Sequence, residues 1–208
     1  MNARIGFLSL SLVLSAHGAA ADGLSSNIVS NGDFEVVDFS FPNGFPPWQF
    51  SAGLTGYVNE PGAASGRNCV FIGGSRSSVT HMWQDIATQS GQAYQFNFYE
   101  RGDEWGQSLR TSVLNVFFGD TMVGSYTRTN TVLGWNFQTF TVVADSTTTR
   151  LDFQNASWTI GSLARPGIDA VSVSAIPEPS SMPLAGTVFL LYLANCLLLR
   201  RRERPQSR

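Results

Sequence analysis

From residue 23 to residue 175 the chain is a succession of short runs in which apolar and polar residues alternate, and none of them keeps an apolar stripe of helical period. Alternation with a period of two places successive side chains on opposite faces of a strand. In Tyr94-Gln95-Phe96-Asn97-Phe98-Tyr99, residues 94, 96 and 98 share one face, while Gln95, Asn97, Tyr99 and then Arg101 share the other. Runs of this kind predict strands at 28–29, 34–37, 48–50, 70–72, 79–86, 94–101, 112–118, 121–126, 136–143, 149–153 and 168–173. Between them stand turn formers such as Asn31-Gly32, Pro42-Asn43-Gly44, Gly73-Gly74, Ser90-Gly91, Gly119-Asp120 and Arg165-Pro166-Gly167. Many short strands with frequent turns make an all-β sandwich or barrel. The expected core includes Met82, Ile86, Phe96, Phe98, Leu114, Val116, Phe118, Phe140, Val142, Leu151 and Phe153. His81, Trp83 and Asp85 fall on the face away from Met82 and Ile86.

The two ends have different chemistry. Residues 1–21 carry Arg4, an apolar stretch from Ile5 to Leu14, and Ala19-Ala20-Ala21 before Asp22, the pattern of a secretory signal peptide. Near the other end, residues 183–199 form an apolar run of 17 residues, short but sufficient for a transmembrane helix. Arg200, Arg201, Arg202, Arg204 and Arg208 follow it, and basic residues remain on the cytoplasmic side. Residues 22–175 are thus expected outside the membrane and the arginine tail inside. Between Asp22 and Ser181 there are seven arginines and fourteen acidic residues, and the chain has no lysine. So acidic a domain is a poor partner for nucleic acid. Cys69 is expected as a buried small apolar residue, and Cys196 falls in the apolar run.

Residues 176–208, with Pro177-Glu178-Pro179 ahead of the apolar run and the arginine cluster, resemble the PEP-CTERM sorting signal of Gram-negative bacteria. The resemblance implies recognition by an exosortase in the inner membrane, processing near the motif, and delivery to the cell surface or an exopolysaccharide matrix. Two prolines around one glutamate also hold an extended segment that joins neither a helix nor a central strand.

A second resemblance covers most of residues 22–175. The stretch NIVSNGDFE resembles the opening of galactose-binding-like jelly rolls, among them several carbohydrate-binding modules, and GIDAVSVSA resembles their closing strand. Trp83-Gln84-Asp85-Ile86, Gly91-Gln92-Ala93-Tyr94 and WNFQTFTVVADSTTTRLDF fit the middle. The resemblance implies a jelly-roll β-sandwich with a structural calcium near the chain ends, held by Glu35, Asp169 and backbone carbonyls. Ala170 stands where the family often has a second acid, a departure from that pattern.

Catalytic chemistry finds little support. His81 is the only histidine beyond the signal peptide, so a triad would have to use it, and a zinc site lacks ligands. Glu100, Asp103 and Glu104 in YERGDEWGQS are the one carboxylate cluster suited to glycan hydrolysis; the plainer reading is a solvated hairpin loop. Binding is better served. Trp and Tyr rings stack on sugars, and planar polar groups read hydroxyls. Trp83, Tyr99, Arg101, Trp105 and Trp158 are the candidates for lining one concave face or one rim, whereas Trp48 and Trp135 read as structural plugs. The sequence therefore points to a non-catalytic, exported polysaccharide-binding module. A structural or adhesive matrix protein is the alternative, and a small glycan hydrolase the third reading.

Overall fold

The computed structural model describes residues 26–40, 44–51, 56–59, 62–73, 77–102, 110–129 and 134–177, with backbone alone at 56–59. The signal peptide, Asp103, Glu104, Trp105, Glu178, Pro179, the apolar run with Cys196 and the arginine tail lie outside the described residues. Among the described residues there are ten strands: β1 (Gln49–Phe50), β2 (Gly56–Asn59), β3 (Asn68–Phe71), β4 (Thr80–Ala87), β5 (Ala93–Arg101), β6 (Thr111–Phe118), β7 (Thr121–Thr129), β8 (Asn136–Val143), β9 (Thr148–Asn155) and β10 (Gly167–Ala175). They form two antiparallel sheets. The first has the order β1-β4-β9-β6-β7 and the second β2-β3-β10-β5-β8. This is the expected all-β jelly-roll sandwich.

Burial follows the alternation. Met82, Gln84 and Ile86 of β4 are buried, as are Tyr94, Phe96 and Phe98 of β5, Leu114, Val116 and Phe118 of β6, and Leu151 and Phe153 of β9. Phe153 joins the two sheets: its ring centroid lies 5.3 Å from Phe98, 6.1 Å from Phe96 and 6.1 Å from Trp48. Each such side chain contributes about 1.5–3 kcal/mol by leaving water. Phe140 and Val142, expected inside, are partly buried against this core. Cys69 is wholly buried on β3, and Trp48 fills the core as a plug, its indole N–H donating to the Asn31 carbonyl at 2.9 Å.

Two predicted strands do not form. Residues 28–29 and 34–37 instead belong to an irregular segment pressed along β10. The Ile28 N–H donates to Val173 O at 2.9 Å, and the Val171 N–H donates to Gly32 O at 2.8 Å. A side chain at residue 32 would place its Cβ 2.0 Å from Val171 O, so glycine is required there. Phe34 has φ 56, outside the strand region, which turns its ring inward against Phe45 and Trp48. The Asn31 side chain holds the turn by donating to the carbonyls of Val36 and Pro46, both at 2.9 Å. Strand β2 was not expected from the alternation.

Candidate functional site

The outer face of the first sheet gathers polar and aromatic side chains in rows set by strand register. Gln49, Trp83, Asp152, Phe117 and Met122 are successive partners across β1, β4, β9, β6 and β7. The next row is His81, Gln154, Asn115 and Ser125. All stand on the outward parity, because Met82, Leu151, Phe153, Leu114 and Val116 point inward.

These side chains order one another. Arg150 donates from Nε to Asp85 Oδ1 at 2.7 Å and from Nη2 to Oδ2 at 2.9 Å, a two-pronged pair. That hydrogen bond holds the Asp85 carboxyl below the usual range. The guanidinium thereby lies 5.4 Å from the centre of the Trp83 ring and steadies it. His81 Nδ1 lies 3.1 Å from Asp152 Oδ2, and Gln154 Nε2 donates to the same oxygen at 2.7 Å. Ser125 Oγ donates to Asn115 Oδ1 at 2.8 Å. Beside them a groove of about 600 Å³ runs past Phe117, Asp120, Asp145, Arg150, Asp152 and Gln154. A partly exposed indole flanked by fixed amide, carboxylate and imidazole groups is a surface that stacks on a ring and reads its hydroxyls.

The predicted binding residues do not converge. Trp83 belongs to the first sheet, but Tyr99 projects from the outer face of the second. Arg101 is a correction: it is only 4% exposed, not a ligand-facing group. Its guanidinium carbon lies 5.0 Å from the Phe71 ring centre and 4.9 Å from that of Trp135. Gly167, paired with both Phe71 and Arg101, leaves the space for this. The Gly62 carbonyl closes the stack, accepting from Arg101 Nη1 at 3.2 Å and from the Trp135 indole at 2.6 Å. Trp158 stands on a short 3-10 helix, Ser157–Ile160, adjoining Val113 and distant from the Phe117 end of β6. Glu100 is a second correction. It is 1% exposed rather than part of a solvated loop, and Arg128 grips its carboxylate from β7 with Nε at 3.0 Å. Cys69 is buried on β3 of the second sheet while His81 stands on the outward parity of β4 in the first, so the two do not form a Cys-His pair.

Glu35 and Asp169 meet at one segment. Glu35 Oε1 accepts from the Arg67 and Asn68 amides at 2.6 and 2.7 Å, and Asp169 Oδ2 accepts from the Ser65 amide at 2.9 Å. Asp169 is fully buried. Burial pushes its carboxyl up to about 6, against amide hydrogen bonds from Ser65, Ala170 and Ala64, and the charge of Glu35 adds to the rise. No cationic side chain pairs with either acid among the described residues. Nor do these residues bring three His, Cys, Asp or Glu side chains together as a metal site, so a cation here would draw on backbone carbonyls.

No family model matches this chain, and no curated protein matches it by sequence. Solved structures do. A CBM61 module in complex with β-1,4-galactotriose superposes with a TM-score of 0.52 at 18% identity, over 73% of this chain and 100% of that one. In fold, this chain is similar to carbohydrate-binding modules. The CBM22-1–CBM22-2 tandem domain of Paenibacillus barcinonensis Xyn10C gives 0.50 at 11% identity, over 78% of this chain and 49% of that one. An arabinose-bound α-L-arabinofuranosidase, MgGH51, gives 0.54 at 13% identity, over 74% of this chain and 27% of the enzyme. At these identities the likeness establishes the sandwich and leaves the ligand to the chain's own residues.

The alternation had already turned Leu151 and Phe153 inward, which implies Arg150, Asp152 and Gln154 outward. What it lacked was the pairing of β9 with β4 and β6, which places them beside Trp83 and Phe117.

Proposed function

We propose that this protein is an exported, non-catalytic module that binds a neutral polysaccharide on the outer face of its first sheet. The observation that carries the reading is the row Trp83–Asp152–Phe117 with Arg150 fixed over the indole. Trp83 supplies the stacking platform. Asp152 and Gln154 accept and donate to sugar hydroxyls, and His81 and Asn115 extend the contact along the neighbouring row. The site is preformed, because each polar group is already held by a neighbour, and preorganisation lowers the entropic cost of binding. Glycan hydrolysis is the weaker reading, since Glu100 is committed to Arg128 inside the sandwich.

The sorting signal and the matrix follow from the sequence. The PEP-CTERM-like tail assigns the protein to exosortase processing at the inner membrane and then to the cell surface or an exopolysaccharide-rich biofilm. Glu35 and Asp169 hold a structural calcium ion in this reading. The ion would neutralise two neighbouring carboxylates and tie the segment 64–68 to both ends of the domain.

Affinity electrophoresis of the full chain through gels containing galactan, xylan or other neutral glycans tests the binding. The expected result is retardation by at least one glycan, with Trp83→Ala weakening it tenfold or more, a loss of about 1.4 kcal/mol. Migration unchanged by every glycan would overturn it.

A further inference from the structure

The second sheet has an aromatic surface of its own. Tyr99 and Phe137 are direct partners across β5 and β8, and their ring centroids lie 5.1 Å apart. Phe137 is 54% exposed on a strand whose outward face continues through Thr139 and Thr141 to Val143, itself 54% exposed. Leaving most of a phenylalanine in water forfeits the gain of burying it. Beyond the aromatic pair come Ser172, Asn97 and Thr139, and then Ser174, Gln95 and Thr141, again as successive partners. At the other end, the stack of Phe71, Arg101 and Trp135 walls off the platform.

We propose that this outer face is a second polysaccharide-binding surface, so that one molecule holds two glycan chains on opposite sides and cross-links them. The proposal rests on the reading that the first sheet binds neutral polysaccharide. The occupant follows from charge. The side chains that reach the surface from Tyr99 and Phe137 to Gln95 and Thr141 are uncharged, since Asp169, the β10 partner of Tyr99, is fully buried, and they present amides and hydroxyls around a ring platform. Such a surface offers nothing to a phosphate or sulfate polymer and matches a neutral glycan. The Asn97 amide donates to Ser172 Oγ, and the Gln95 amide to Thr139 Oγ1, both at 3.3 Å. These are long bonds that a sugar hydroxyl can replace.

Two readouts separate binding from bridging. The full chain in mild detergent is mixed with a soluble neutral glycan that retards it, and both gel retardation and light scattering are recorded. The comparison uses the parent, Trp83→Ala, the double variant Tyr99→Ala with Phe137→Ala, and all three substitutions together. Phe137→Ser alone, at an exposed position, replaces the double variant if that one fails to fold. The expected result is scattering from the parent that falls tenfold or more in each single-face variant, while retardation survives in each, weakened tenfold or more in Trp83→Ala, and disappears when all three are changed. Parent-like scattering from the second-face variants would overturn the second surface and leave the first intact. A parent that binds no neutral glycan would remove both. Scattering that grows without glycan and vanishes in Phe137→Ser would identify a second copy of the chain as the occupant and overturn the proposal.

Discussion

Trp83 and Tyr99 stand on opposite outer faces of the sandwich, one on β4 of the first sheet and the other on β5 of the second. Two layers of core side chains separate them, so no single sugar ring touches both. Substitutions at the two positions therefore act on separate surfaces, and each leaves the other surface unchanged.

Asp169 makes stability depend on pH. Its folded-state pKa of about 6 lies above the ordinary 3.8, so the native state binds more protons than the unfolded chain between those values. Stability therefore falls as pH rises from about 4 to about 6. Below that window the cost is absent; above it the cost is complete, at about 3 kcal/mol. Urea midpoints measured with chelator across the window should slope downward in the parent and flatten in Asp169→Asn. Calcium should oppose the fall, because it favours the ionised pair. Identical slopes in parent and variant would refute the assignment.

Gly167→Ala tests the Arg101 stack. A Cβ at residue 167 would lie 2.8 Å from Arg101 Cγ and 2.9 Å from Phe71 Cε1. The side chain of Arg101 has to leave Phe71, at a cost of about 1–3 kcal/mol. Trp135 loses its cation neighbour with it. The expected signs are a lower melting temperature and altered tryptophan fluorescence; parent-like values in both would show that the stack tolerates the methyl group.

Glu100→Gln should destabilise the domain by about 1–3 kcal/mol. Breaking a buried ion pair costs more when the abandoned charge stays buried, but Arg128 is one-third exposed and recovers water. Tyr126 reports the same change. Burial, with the charge of Glu100 adding to it, pushes its phenol up to about 12, and Arg128 opposes the rise. Spectroscopic titration should find the phenol lower in the variant, though still raised by burial.

Phe153→Ala removes the ring that joins the sheets. With Phe98, Phe96 and Trp48 around it, the void cannot close, and the loss is about 3–5 kcal/mol by chemical denaturation. A loss below 1 kcal/mol would mean that the sheets repack around it.

Much of the fold was legible because alternation is a local signal. Tyr94, Phe96 and Phe98 declare their face without reference to any other strand, and most strand bounds fell within two residues. The N-terminal strands were misread because Phe34 looks like a strand residue and takes a positive φ that only its packing on Trp48 explains. The site was less legible. Arg101 has the outward parity of Tyr99, and nothing local reveals that Gly167 opens a slot for it or that Gly62 covers it. Arg150, Asp152 and Gln154 were deducible as outward, but their meeting with Trp83 depends on β9 pairing with β4 across more than sixty intervening residues.

β10 is flanked along its length, by β5 on one edge and by β3 and the segment around Ile28 and Gly32 on the other. The chain leaves the sandwich from its end, at Ile176 and Pro177. Any pull on the tail is therefore taken first by the central strand of the second sheet, along its own axis, with hydrogen bonds on both edges sharing the load in shear. An edge strand would unzip one bond at a time. If the faces grip polymer as proposed, force entering at Ile176 and Pro177 meets a strand that is hydrogen-bonded on both edges.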